Sequence, residues 1–268
     1  MSEIVRWSNP VRSRLEAGDF VVGMTVTGTS LDAAAHAAKL GFHFLWVEME
    51  HSPITLETLR AVVLATRGLP APVFARVPVV ELWTAKRVLD QGVQGVIFPF
   101  TSTPELASKA AAGCKYPPVG RRGSGAGLAV GSWPEAGSYY DSADKHVMVI
   151  TVIEEASALD HIDEIAATPG LDVIFIGVSD LSFSLGLRGR QDEPLLEEAI
   201  AKIVAAAKRN NKFLGRPAGS PAAVQRFREQ GFQFFQSVTE LGLMTLGAAQ
   251  LLEPLGITGV PPSERALY

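Results

Sequence analysis

Four short clusters of polar residues interrupt otherwise apolar stretches of this chain, and each carries groups that can bind a metal, move a proton or hold an anion. They are Glu48-Met49-Glu50-His51, Arg76 inside Phe74-Ala75-Arg76-Val77, Glu154-Glu155, and Gly177-Val178-Ser179-Asp180. Glu154 and Asp180 are two carboxylates. Hard oxygens with open positions between them suit Mg²⁺ or Mn²⁺, which keep water or substrate as further ligands. The same two residues also fit as caps of the helices that follow, and spacing does not separate these readings. His51 is one of five histidines and the one placed where an apolar run ends, beside two glutamates able to raise its basicity. It reads equally as a turn residue before Ser52-Pro53. Arg76 is costly in an apolar strand without an anionic partner. That partner is a substrate or developing enolate oxygen, or else a structural ion pair with Glu48 or Glu50. Asp90 closes a helix just before Gly92 and by itself reads as a solvated acid.

These clusters acquire a common place once the elements around them are laid out. Apolar runs alternate with helix-period segments along the chain. Strands are expected at Phe20–Val26, Phe42–Val47, Pro72–Val77, Val93–Phe98, Val147–Ile153, Leu171–Ile176, Lys212–Leu214 and Phe232–Val238. Helices are expected at Ser30–Leu40, Thr55–Thr66, Leu82–Gln91, Pro104–Cys114, Ala156–Ala167, Glu193–Asn210, Pro221–Gln230 and Leu241–Leu252. Gly41, Gly92, Gly170 and Gly231 each follow a helix, where a left-handed residue ends it without steric cost. Eight βα units with strands apolar throughout favour a single (β/α)8 TIM-type barrel, an α/β fold, over an open doubly wound sheet. In such a barrel the four polar clusters share the rim formed by the C-terminal ends of the strands, which is the active-site face. Tyr116–Lys145 reads as a long Gly/Pro/Ser/Arg-rich insertion loop, and Gly256–Tyr268 as an extended tail.

Composition narrows the function. The chain has 268 residues, 47% hydrophobic and 19% charged, which is globular and fits one barrel domain over 1–268. The net charge of −4 and the lack of a basic run speak against nucleic-acid binding. No apolar stretch is long enough for a membrane span, and the N-terminus lacks a secretory h-region, so a cytoplasmic protein is expected. The single Cys114 excludes a disulfide framework or a thiolate cluster. The Gly123–Gly127 run matches neither a Walker A loop nor a dinucleotide fingerprint.

Taken together, VEMEHSPIT, VFARV, VLDQGVQGVIFP, KYPPVGRRGSG and VIEEASALDHIDEIAATPGLDVIFIGVSDLS resemble the HpcH/HpaI aldolase family over roughly residues 10–255. The Y-P-P-x-G-x-R-G and I-G-x-x-D-L-S blocks are its most specific marks. The resemblance implies a class II pyruvate aldolase, such as a 4-hydroxy-2-oxoheptanedioate aldolase. Such an enzyme is a lyase that needs Mg²⁺, Mn²⁺ or Co²⁺ and splits a 4-hydroxy-2-oxo acid into pyruvate and an aldehyde through an enolate. It assigns His51 as the general base, Arg76 as the enolate-stabilising cation and Asp90 as the acid that tunes the histidine. Glu154 and Asp180 become the metal ligands, and the amides of Ser179 and Asp180 hold the pyruvate carboxylate. It further implies a last helix exchanged between subunits of a homohexamer built as a trimer of dimers. Related enolate chemistry, such as oxaloacetate decarboxylation or macrophomate-synthase-like bond formation, needs the same parts. A barrel that binds a keto acid without turnover is the reading from another class. Four positions depart from the family pattern. Val152 stands where a substrate-contacting glutamine is usual, Val178 replaces a proline, Glu48 an aspartate, and Leu214–Gly219 (LGRPAG) a more apolar pocket segment.

Overall fold

In the computed structural model, which describes residues 9–133, 139–257 and 259, eight parallel strands close into a barrel in sequence order. They are β1 (Val21–Val26), β2 (Phe44–Glu48), β3 (Val73–Arg76), β4 (Gly95–Phe98), β5 (Met148–Ile153), β6 (Val173–Ile176), β7 (Phe213–Pro217) and β8 (Phe234–Thr239). The last strand pairs with the first, Val21 opposite Phe234, which excludes an open sheet. The helices are α1 (Pro10–Glu16), α2 (Leu31–Ala37), α3 (Leu56–Ala65), α4 (Leu82–Asp90), α5 (Pro104–Cys114), α6 (Gly127–Val130) and α7 (Tyr139–His146). They continue with α8 (Ile162–Ala166), α9 (Val178–Ser184), α10 (Pro194–Arg209), α11 (Pro221–Glu229) and α12 (Glu240–Leu252). The four junction glycines all adopt positive φ, from 80° to 104°.

Strand alternation divides the apolar residues into two cores. One lies between the barrel and its helices. The other fills the barrel with Phe44, Trp46, Phe74, Phe175 and Phe234. These rings fit because Gly23, Gly95 and Gly215 face them, where a Cβ would overlap the rings of Phe44, Phe74 and Phe175. Large residues against small ones keep the interior a packed core rather than a pore.

Several expectations are corrected. The segment before β1 forms α1, whose N-cap Asn9 donates from Nδ2 to Gln94 and His146 carbonyls at 3.0 and 2.9 Å. Val11 and Leu15 of this helix join the interior core and close the N-terminal end of the barrel. The β7 strand extends beyond Leu214 to Pro217. A short helix, α9, follows β6 directly and precedes the expected one. The 116–145 stretch is not one open loop, because it contains α6 and all but the last residue of α7, although residues 134–138 lie outside the described part. It docks on the N-terminal end of the barrel. There Arg122 is 1% exposed, stands over the rings of Tyr116 and Tyr139, and donates to Tyr139 Oη at 3.0 Å. Most of the expected C-terminal tail likewise lies outside the described residues. Among the described residues no helix is long and apolar enough to cross a membrane.

Candidate active site

Parallel strands deliver their last residues to one rim, and four of these ends carry the polar clusters. At the end of β2, Glu48 is buried and organises the turn that follows it. Its Oε1 accepts from the backbone N–H groups of Glu50 at 2.8 Å and His51 at 3.1 Å. Its Oε2 accepts from Trp46 Nε1 at 3.2 Å and lies 2.7 Å from Arg76 Nε on β3. Glu50 Oε2 stands 3.1 Å from the same nitrogen and 3.7 Å from His51 Nε2. Arg76, 4% exposed, therefore has the ion pair anticipated with Glu48 or Glu50, and has both. It also lines the cavity above the barrel, so an ion-paired arginine is at the same time open to a ligand there.

Glu154 follows β5 and is 2% exposed. Its Oε1 accepts from the Phe100 N–H at 2.7 Å. Phe100 presents that N–H from a left-handed conformation, φ 47°, which a phenylalanine adopts only when its surroundings enforce it. The other oxygen lies over Gly177, where a Cβ would fall 2.6 Å from it. Burial pushes the Glu154 carboxyl up to about 7, and the charges of Glu50 and Asp180 add to the shift against the pull of Phe100 and Arg76. Burial also raises the Glu50 carboxyl. The adjacent Glu155 is drawn aside by a hydrogen bond from Ser102 Oγ. Ser179 and Asp180 occupy the first turn of α9, with Gly177 rather than Asp180 at its N-cap.

One cavity of about 180 Å³ joins Arg76, Glu154, Ser179 and Asp180, with Val152 and Phe175 in its wall. Four carboxylates, Glu48, Glu50, Glu154 and Asp180, thus gather near one guanidinium. That excess of negative charge is the environment a divalent cation neutralises. Glu154, buried, raised and pressed against a side-chain-free Gly177, fits a ligand role better than a capping one. Among the described residues no group of three His, Cys, Asp or Glu is assembled to hold an ion unaided. Two carboxylates completed by substrate and water is the usual pattern for Mg²⁺.

Asp90 is not part of this gathering. It terminates α4, which runs back from the rim to the N-terminal end of the barrel, and there it pairs with Arg122 Nη2 at 3.2 Å. Within one chain it does not meet His51. Gly125 of the glycine-rich run sits against the Asp90 carboxylate, a poor setting for a phosphate. Cys114 is buried and its thiol is pushed up to about 12 by that burial, so it is inert.

Glu50, anticipated with Glu48 as a partner for Arg76, bridges towards both His51 and Arg76. Arg216 lines the same cavity from the end of β7, a position hidden when the strand is read as stopping at Leu214.

Comparison with known proteins agrees with this geometry. The HpcH/HpaI aldolase/citrate lyase family model matches residues 22–245. A hydroxypyruvate/pyruvate aldolase of Paraburkholderia phytofirmans is 34% identical over 257 residues, 92% of this chain and 97% of its own length. A 5-keto-4-deoxy-D-glucarate aldolase of Escherichia fergusonii is 36% identical over 214 residues, 80% of this chain and 83% of its own. The crystal structure of an HpcH/HpaI aldolase/citrate lyase family protein from Burkholderia cenocepacia J2315 superposes with a TM-score of 0.85 at 30% identity, covering 93% of this chain and 100% of that one. The match spans every strand that contributes to the rim, and the chain belongs to the HpcH/HpaI aldolase/citrate lyase family.

Proposed function

We propose that this protein is a divalent-metal-dependent carbon–carbon lyase that cleaves a 4-hydroxy-2-oxo acid to pyruvate and an aldehyde, reversibly, through an enolate. The observation that carries this reading is the buried Glu154 carboxyl, held over Gly177 in one cavity with Asp180 and Arg76. Glu154 and Asp180 are the residues to hold Mg²⁺, Mn²⁺ or Co²⁺, and the ion supplies Lewis-acid polarisation of the substrate's 2-oxo group when bound.

The protein's own groups do the rest. Arg76, fixed by Glu48 and Glu50, offers positive charge to the oxygen that becomes the enolate. His51 takes the proton from the C4 hydroxyl as the C3–C4 bond breaks. The electron pair of that bond passes to C3, the aldehyde departs, and protonation at C3 yields pyruvate. The N–H groups of Ser179 and Asp180, in the first turn of α9, have no carbonyl one turn earlier and are suited to the substrate carboxylate. Val152 and Phe175 form an apolar wall that limits water at the reacting carbons. No lysine is among the residues lining the cavity, so a Schiff-base route lacks its nucleophile there. Asp90, at the opposite end of the barrel from His51 within one protomer, would act on the histidine of another copy of the chain. A homo-oligomer is also supported by α12, which buries none of its residues and exposes Leu241, Met244, Leu246 and Leu251.

The direct test is pyruvate release from a panel of 4-hydroxy-2-oxo acids in buffers containing Mn²⁺, Mg²⁺ or Co²⁺. Release that stops in chelator and returns with the ion supports the proposal. Release that persists in chelator, or a borohydride-trapped lysine–pyruvate adduct, overturns it.

A further inference from the structure

A second arginine in the same cavity has no charged partner among the described residues. The β7 strand ends Gly215-Arg216-Pro217. Gly215 faces the barrel interior, under Phe175, so strand alternation turns Arg216 outward towards α11. There its guanidinium carbon lies 3.5 Å from the ring centroid of Phe227 and 5.3 Å from that of Phe232. Arg216 is 9% exposed, its side chain makes no hydrogen bond or ion pair among the described residues, and its Nε is buried and unsatisfied. Arg226, exposed on α11, stands over the same Phe227 ring at 4.7 Å and also has no ion pair among the described residues. Two cations thus share one ring, with no described acid paired to either. Burial and the charge of Arg226 lower the Arg216 pKa to about 10, which still leaves it charged at neutral pH. A buried guanidinium without a counter-charge is strongly disfavoured, and such groups mark places where an anion belongs.

The position of this pair relative to the reacting carbons is also defined. The cavity that holds Arg76, Glu154 and Asp180 adjoins a second one of about 670 Å³. Val178, Gln191, Arg216, Arg226 and Phe227 line both, whereas Arg76, Glu154 and Asp180 line only the first. Arg216 and Arg226 therefore sit where the site opens away from Glu154 and Asp180, into a second cavity whose wall also carries Asp192 and Glu197. Stacking on Phe227 occupies a face of the Arg216 guanidinium and leaves its in-plane N–H edge for an oxyanion.

We propose that Arg216, assisted by Arg226 and Gln191, binds an oxyanion, a carboxylate or a phosphate, carried at the far end of the aldehyde portion of the substrate. This rests on the reading that the site cleaves a 4-hydroxy-2-oxo acid, and it makes the acceptor an anionic aldehyde.

The test is aldol addition of pyruvate to matched aldehydes by the full-length, metal-loaded protein. Butanal is compared with 4-oxobutanoate, and glyceraldehyde with glyceraldehyde 3-phosphate. For at least one pair kcat/KM is expected to favour the anion by about 10²-fold, the scale of a charge-assisted contact. The pair that shows the preference identifies carboxylate or phosphate. Arg216→Met should reduce the preference to a few-fold. Arg226→Gln, at an exposed position the fold does not depend on, should reduce it partly. The wild-type ratio decides even if Arg216→Met does not fold. Addition to neutral aldehydes with no anion preference in either pair overturns this inference and leaves the lyase reading standing. No addition to any aldehyde, together with no exchange of pyruvate C3 protons, overturns both.

Discussion

Arg76 and Arg216 are both buried at strand ends of one cavity, yet their surroundings differ in kind. Arg76 lies within 3.1 Å of two carboxylates and faces a third and fourth across the cavity. Arg216 is stacked on apolar rings beside another cation and has no acid in contact among the described residues. A paired buried arginine is already neutralised, so it is held rigid and can act on charge that develops during a reaction without reorganising. An unpaired one is satisfied only by an anion that arrives with a ligand. On this view the Arg76 end serves every substrate and the Arg216 end discriminates among them.

The largest expected effect is at the Arg76 end. Glu154→Gln removes a ligand charge and should lower turnover of every substrate by on the order of 10³ or more, the scale of several kcal/mol of metal-supplied stabilisation. A loss confined to some substrates breaks the contrast between the two ends. His51→Ala should lower kcat by ~10²–10⁴ with little change in KM, as for other general bases. An unchanged pH–rate profile in that variant identifies His51 as a turn residue only. Arg76→Ala should cost ~10²–10³ in kcat. It should also destabilise the fold by ~3–5 kcal/mol, because Glu48 and Glu50 are left buried without their cation. Arg76→Lys keeps the charge but not the planar fork, so it should rescue stability more than rate. Arg76→Ala with a lower melting temperature but intact pyruvate exchange makes the arginine purely architectural.

The smallest effect is on stability against pH. Glu154 titrates near 7 when folded and near its ordinary carboxylate value when unfolded, so the folded state binds the proton more tightly. Without metal, stability is then highest near the lower value and falls as pH rises towards 7, by up to ~3 kcal/mol. Glu50, shifted in the same direction, steepens that fall. The melting temperature of chelated protein should drop by several degrees between pH 5 and 7.5, and Glu154→Gln should flatten the slope. A chelated protein that melts higher at pH 7.5 than at pH 5 contradicts the electrostatics assigned to the site.

Much of this was legible in the sequence because barrel strands are buried on both faces and leave unbroken apolar runs. Polar residues at the ends of those runs, Glu48, His51, Arg76, Glu154 and Asp180, stand out for the same reason. What escaped depends on contacts remote in sequence. The α1 segment has only Val11 and Leu15 to bury, and what retains it is the open end of the barrel. Arg216 lies beyond the strand expected at Lys212–Leu214, because only the fold shows that Gly215 continues β7 and is small enough to admit the Phe175 ring. Glu50 is expected beside Arg76 only as an alternative to Glu48, and the register of β2 on β3 brings both carboxylates to it. Asp90 entered through family resemblance, and chain direction alone shows that it lies at the opposite end from His51 within one protomer.

The central claim is that Glu154, Asp180 and Arg76 generate an enolate with the help of a divalent cation. Exchange of the pyruvate methyl protons in D₂O, followed by NMR, isolates that step without any aldehyde. The account predicts exchange in wild type with Mn²⁺ or Mg²⁺, none in chelator, and none in Glu154→Gln at either condition. Exchange that continues in chelator, or that Glu154→Gln leaves at the wild-type rate, contradicts it.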